Sequence, residues 1–141
     1  MYNKISKIIS DKYNVAVRPS MQGEWHVTIE ITENEGHNYI NTIFVPELNR
    51  GQGIAKELIN LIEEETKIQN KQEVILDAFP YSDNQGNTIE SIVSLVNWYK
   101  SLGYAMDNDN DYNAFVEDAD ANKLYSYEEV PKGCLTLYKE V

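Results

Sequence analysis

The chain has 141 residues, a length that one domain spanning 1–141 fills. Its 23 Asp and Glu outnumber 12 Lys and Arg, giving a formal net charge of −11 with only two arginines, Arg18 and Arg50. Such an excess speaks against a grip on nucleic acid or an anionic membrane, which needs a basic face, and permits a cationic or amine-bearing partner. A single cysteine, Cys134, cannot close an internal disulfide and points to a reducing, cytoplasmic setting. Two histidines, His26 and His37, with one cysteine are too few for most metal centres, so no metal is expected. No run approaches the roughly 20 apolar residues of a membrane span, and the N-terminus lacks the apolar core of a signal peptide.

In chain order, Ile5, Ile8 and Ile9 predict a short helix over 3–11. Tyr13 to Val17 alternates like a strand. From Glu24 to Thr32 the alternation is clean, with Trp25, Val27, Ile29 and Ile31 on the buried face. Residues 34–38 have turn chemistry, and 39–45 form the next strand, stopped by Pro46. The period then changes to 3.6. Ile54, Leu58, Leu61, Ile62 and Ile68 line a helix over 52–69. The nearly continuous apolar run 73–79 reads as a buried strand, so strand, helix and strand make a right-handed βαβ unit. A loop over 81–87 leads to a second amphipathic helix carrying Ile89, Ile92, Val93, Val96, Tyr99 and Leu102, with Gly103 placed as its C-terminal cap. Residues 107–113 look like acidic turn material, Phe115-Val116 like a short strand, and 134–138 like the last strand. Residues 117–132 are ambiguous, with Leu124, Tyr125 and Tyr127 as anchors.

The segment that carries chemistry is Asn49-Arg50-Gly51-Gln52-Gly53-Ile54-Ala55-Lys56, between a strand and a helix. Glycines let backbone approach a ligand, and the first helical turn offers free N–H groups and partial positive charge, which suits a phosphate. Arg50 and Lys56 add cations. The segment lacks the GxxxxGK of a nucleotide P-loop and the third glycine of a dinucleotide fingerprint. Alone, it is either a plain strand-to-helix turn or a phosphate cradle.

In context, the string TIFVPELNRGQGIAKELI resembles the signature of the GNAT superfamily of acyl-CoA-dependent N-acetyltransferases. Arg50-x-x-Gly53-x-Ala55 matches that family's Arg/Gln-x-x-Gly-x-Gly/Ala loop. Tyr99-x-x-x-Gly103-Tyr104 is similar to its later helix end, and CLTLYKEV to its last strand. The resemblance covers roughly 39–141, with firm motifs at 42–59 and 97–104. It implies an α/β, GNAT-like fold: a mixed, mostly antiparallel sheet with one βαβ crossover and flanking helices. It implies acetyl-CoA as co-substrate, with backbone amides of Arg50, Gly51, Gln52, Gly53, Ile54, Ala55 and Lys56 holding the pyrophosphate. Main-chain groups of Phe44 and Val45 would pair with the pantetheine arm, and the Val45 amide would meet the thioester carbonyl. Tyr99 aligns with the tyrosine that protonates the departing thiolate. The reaction implied is transfer of acetyl to a primary amine, on a small molecule or a protein, by direct attack.

Three departures stand out. Ile92 occupies the place of an asparagine that contacts the coenzyme in many members, with Asn84 and Asn87 as nearby replacements. The segment before the first long strand is short, so the acceptor site is open or built by other elements. Phe79-Pro80-Tyr81 and the acidic stretch after Tyr104 resemble small phage-encoded acetyltransferases, one group of which modifies a lysine of a CRISPR nuclease. No general base stands out among His26, Glu30, Glu47 and Asp77, and Cys134 lacks a paired base. The alternative to an enzyme is a non-catalytic acyl-CoA-binding or acidic interaction module on the same fold, favoured by the acidity of 107–129. An acidic decoy of a nucleic-acid-binding protein is a third reading. A homodimer fits any of these.

Overall fold

The computed structural model describes residues 1–21, 25–80 and 86–141. The chain divides into two compact units, Met1–Val74 with Glu140–Val141, and Ile75–Lys139.

The first unit opens with helix α1, Tyr2–Tyr13, which buries Ile5 and Ile9 on one side. Asn14 ends it at φ 54°, in the left-handed region that asparagine tolerates. That cap explains why the predicted strand over 13–17 is mostly absent. Only Val17–Arg18 (β1) pairs, in parallel with Val27 and Thr28 of β2, Val27–Glu33. Strand β2 runs antiparallel to β3, His37–Phe44, with a register shift between Glu30 and Ile31. Trp25, expected in the core, lies before the strand and is 79% exposed. Thr28, expected toward solvent, is fully buried. The alternation is real, but the start of β2 is covered on both faces.

Helix α2, Ile54–Ile68, packs on α1 and β3. It buries Ile54, Leu58, Ile59, Ile62 and Thr66, while Ile68, expected on the stripe, is 63% exposed. Its C-terminal turn is tied to β3 by a polar network. Asn38 Nδ2 donates to Thr66 Oγ1 at 2.8 Å and to Gln69 Oε1 at 2.9 Å. Lys71 Nζ donates to Asn38 Oδ1 at 2.7 Å, and Gln69 Nε2 to Glu33 Oε1 at 2.8 Å. Asn38 is therefore a buried strand residue and not part of a turn; its amide is satisfied on both ends, as burial demands.

Strand β4, Glu73–Asp77, crosses from the first unit into the second. The amide of Gln72, just before β4, donates to the carbonyl of Gly36, just before β3, at 2.8 Å. Neighbouring strands that share an entry end run parallel, so β3, α2 and β4 make the predicted crossover. Within the second unit, Ala78 N donates to Leu135 O at 2.8 Å, linking the exit of β4 to the entry of β6, Thr136–Glu140. That is an antiparallel junction. The short strand β5, Ala105–Met106, also pairs antiparallel with β6. The hydrogen-bonded order is β1-β2-β3-β4-β6-β5, a mixed sheet as expected.

Two helices complete the second unit. Helix α3, Ile89–Ser101, is capped by Thr88, whose hydroxyl accepts from Ser91 N at 3.2 Å. It buries Ile92, Val96 and Tyr99, and Gly103 (φ 97°) terminates it as predicted. Helix α4, Asp109–Asp118, replaces the predicted turn and Phe115-Val116 strand. Asn108 caps it, accepting from Asp111 N at 3.1 Å, and Asp109 and Asp111 occupy its first turn. Carboxylates there favour the helix through its dipole, so the acidic run starts a helix. The ambiguous segment beyond it contains a short 3-10 turn at Tyr127–Glu129, closed by a Ser126–Glu129 capping box. Cys134, expected to open the last strand, precedes β6 in a buried turn.

Candidate active site

Pro46 ends β3, and a 3-10 turn at Glu47–Asn49 leads into residues 50–53. Gly51 (φ 85°) and Gly53 (φ 83°) both take left-handed backbone, which L side chains adopt at a cost. A Cβ at either would meet nothing within 4 Å. Conformation, not crowding by the chain itself, demands glycine here, and both positions face open space.

Gly53 is the N-cap of α2 and supplies no side-chain cap. Among the described residues, no hydrogen bond takes up the amides of 51–56. The amide of Arg50 is the exception, donating to Glu47 O at 3.2 Å. Six consecutive N–H groups without a partner at a helix N-terminus are donors of the kind that suit an anion. The one acid in the first turn of α2, Glu57, turns away to the Lys12 ammonium, whose hydrogen bond holds its carboxyl below the usual range. Lys56 is exposed, and helical side chains lean toward the N-terminus, so its charge lies on the side of these amides.

Arg50 behaves differently from the expectation of a phosphate cation. Its Nε donates to the Val45 carbonyl at 3.0 Å, and its guanidinium lies 6.0 Å from the Phe44 ring centroid. It braces the end of β3 against the loop. Phe44 is buried and ends the pairing with β2 opposite Thr28. Val45 lies just past the strand, and its amide has no partner among the described residues.

Tyr99 belongs to the second unit. It sits on the buried stripe of α3, 7% exposed, with the Tyr104 ring at 6.0 Å and the Trp98 ring at 5.2 Å. Burial pushes its phenol up to about 12. The Cys134 thiol is pushed up to about 11, first by burial and then by the Asp111 and Asp77 carboxylates, which leaves it a poor nucleophile. Ile92 is fully buried and makes core. Of the two replacement asparagines, Asn84 lies outside the described residues. Asn87 is engaged structurally: its backbone exchanges two 2.8 Å hydrogen bonds with Tyr125, and its Nδ2 donates to Pro80 O at 2.6 Å. Among candidate bases, Glu30 Oε1 accepts from Asn41 at 3.4 Å, Glu47 is exposed, and His26 Nδ1 is buried without a described partner. Asp77 accepts from Thr136 Oγ1 at 2.7 Å and from the Tyr127 hydroxyl at 3.0 Å. The sequence offers Tyr127 only as an anchor, since a hydrogen bond to a residue fifty positions away leaves no local signal. Among the described residues there is no metal-binding group of three His, Cys, Asp or Glu, and no helix long and apolar enough to cross a membrane.

A family profile described as the acetyltransferase (GNAT) domain matches residues 7–120, most of the chain. The chain belongs to the GNAT acetyltransferase family. One solved structure agrees on the fold, and others are similar to parts of the chain. A Bacillus subtilis acetyltransferase solved with CoA is 20% identical, with a TM-score of 0.50, 96% of this GNAT chain covered and 84% of that one. Naa50 from Arabidopsis thaliana, solved with the bisubstrate analogue CoA-Ac-MVNAL, is 22% identical, with a TM-score of 0.47 and coverages of 82% and 64%. Ard1 from Thermoplasma volcanium is 17% identical, with a TM-score of 0.47 and coverages of 80% and 61%. The GNAT chain thus spans under two-thirds of the length of the latter two. No curated protein sequence matches it.

Proposed function

We propose that the chain transfers acetyl from acetyl-CoA to a primary amine by direct attack. The observation that carries this is the run of untaken amides at 51–56 on the uncapped start of α2. These residues fit a pyrophosphate: donors in series, a favourable dipole, a lysine and two glycines with open space at their Cβ positions. Acetyl-CoA, when bound, supplies an activated acyl thioester.

The chain's own groups then have separate tasks. Residues 51–56 and Lys56 hold the diphosphate. The main chain at Phe44 and Val45 extends strand-like pairing to the pantetheine amides. The Val45 amide, fixed by the Arg50 brace on its own carbonyl, hydrogen-bonds the thioester oxygen as negative charge builds there. Tyr99 keeps its proton across the neutral range because burial raises it to about 12; it delivers that proton to the departing sulfur as the C–S bond breaks, and the proton that the acylated nitrogen sheds returns through water to restore the phenol. No side chain is assigned as base. The acceptor therefore attacks as the free amine, and kcat/KM rises with pH toward the amine's own pKa, about 10 for an alkylamine.

The test is free-thiol release from acetyl-CoA over a panel of primary amines. Tyr99→Phe lowers kcat about 100-fold while leaving acetyl-CoA affinity nearly unchanged. Failure of the wild-type chain to bind acetyl-CoA defeats the proposal. Binding without turnover on any amine defeats its catalytic half.

A further inference from the structure

In the first unit, two ion pairs join helices α1 and α2. Lys4 Nζ donates to Glu65 Oε2 at 2.8 Å, and Lys12 Nζ donates to Glu57 Oε1. The partners are eight residues apart on each helix and in reverse order, so the helices run antiparallel with the pairs about 12 Å apart. The pairs differ in where they meet α2. Glu65 stands near its C-terminal end. Glu57 stands in its first turn, about 4.5 Å along the axis from the Ile54 amide.

A carboxylate in the first turn of a helix is drawn to the same free N–H groups, and the same partial charge, as an external anion. Glu57 is turned instead to α1, and among the described residues Lys12 is its one ionic partner. Lys12 is well placed to compete for it. It lies in the last turn of α1, where the helix dipole favours a cation, and its Nζ is 5.5 Å from the Tyr13 ring centroid. The Lys12 hydrogen bond, with a smaller share from Tyr13, holds the Glu57 carboxyl below its usual range, and the Glu57 hydrogen bond raises the Lys12 ammonium. Each partner keeps the other charged.

We propose that Lys12 is a positioning residue of the acetyl-CoA site: by holding the Glu57 carboxylate against α1, it keeps the amides at the start of α2 open to the diphosphate. Without Lys12, the Glu57 side chain leans toward the N-terminus, as helical side chains do, and competes with the diphosphate for the same donors. The place of the diphosphate rests on the acetyl-transfer reading; the competition within α2 does not.

The test has two readouts on the full chain. In calorimetric titration, Lys12→Met weakens acetyl-CoA binding about fivefold, the effect of one unit charge near a diphosphate in a water-exposed site. Adding Glu57→Gln restores the affinity to within about twofold of wild type. Lys12→Arg, which keeps the cation, keeps the affinity. Lys4→Met, which removes the same charge from the far end of the same helix pair, leaves it unchanged. In turnover, the Lys12→Met loss falls on KM for acetyl-CoA and spares kcat. The second readout needs no ligand. Amide hydrogen exchange at Ile54, Ala55 and Lys56 slows about threefold in Lys12→Met, as the freed carboxylate takes up a donor, and regains the wild-type rate in the double variant. Should Lys12→Met lose its melting transition, Lys12→Gln carries the same comparisons.

An equal loss of affinity in the Glu57→Gln background makes Lys12 a direct cation for the ligand and overturns the proposal. Equal weakening by Lys4→Met reduces the effect to net charge and overturns it too. The two proposals separate. A wild-type chain that binds no acetyl-CoA while the exchange pattern holds removes the acetyl-transfer reading alone. A wild-type chain that binds and turns over, with neither readout moved by Lys12→Met, removes this inference alone.

Discussion

Helices α2 and α4 begin in opposite ways. At α4, Asn108 accepts from the Asp111 amide at 3.1 Å, and Asp109 and Asp111 bring negative charge to the first turn. At α2, glycine stands at the cap, no side chain takes an amide, and the only first-turn acid is drawn off to Lys12. One terminus is satisfied by its own chain, and the other keeps its amides without a partner among the described residues. Helix ends are stabilised when their orphan donors find partners, so an end left open forgoes stability that a ligand restores. On the proposed reading, the uncapped start of α2 gives up stability that acetyl-CoA binding restores.

The largest expected effect comes from closing the open end. Gly53→Glu puts a side chain on left-handed backbone and a carboxylate into the cradle. Strain and repulsion together weaken acetyl-CoA binding by about 100-fold or more, read by calorimetry. Unchanged affinity would mean that the α2 terminus is not the diphosphate site. Next comes the buried phenol on α3. Tyr99 holds its proton to about 12 in the folded chain and to about 10 when unfolded. The unfolded state therefore binds fewer protons between those values, and stability falls as pH rises from about 10 to about 12, by about 2 kcal/mol. Tyr99→Phe removes that part of the alkaline loss in urea melts at the two pH values, while the Cys134 thiol's own part remains.

These two helix starts also differ in how far they are legible. Gly51 and Gly53 between a strand and a 3.6-residue stripe mark α2 plainly, and Gly103 marks the end of α3. The start of α4 is hidden because Asn and Asp serve turns and N-caps equally; only Asn108 followed three residues later by Asp111 separates the two. Trp25 misleads because alternation does not say where pairing begins. Thr28 misleads because a short strand can be covered on both faces. The Asn38 network with Thr66, Gln69 and Lys71, and the Tyr127–Asp77 hydrogen bond, join residues about thirty to fifty apart, beyond any local pattern. The uncapped, glycine-led start of α2 is legible since it is local: backbone of consecutive residues needs no distant partner. The role of Arg50 is not, because its charge suggests phosphate while its Nε is given to Val45.

The smaller effects lie at the closed end. Asn108→Ala frees the Asp111 amide and costs about 1 kcal/mol in a urea melt, with acetyl-CoA affinity unchanged. Asp109→Asn is subtler. Its carboxylate contributes through the α4 dipole and through a 3.9 Å pair with Lys100, both exposed. Each is worth a few tenths of a kcal/mol, and both are screened by salt. The loss should therefore be about 0.5 kcal/mol at low ionic strength and vanish near 1 M salt, whereas the Asn108→Ala loss persists there, because a short-range cap is not screened. Equal salt dependence of the two variants would show that α4 is held at its start by charge alone, and the contrast with α2 would then be one of sign and not of hydrogen bonding.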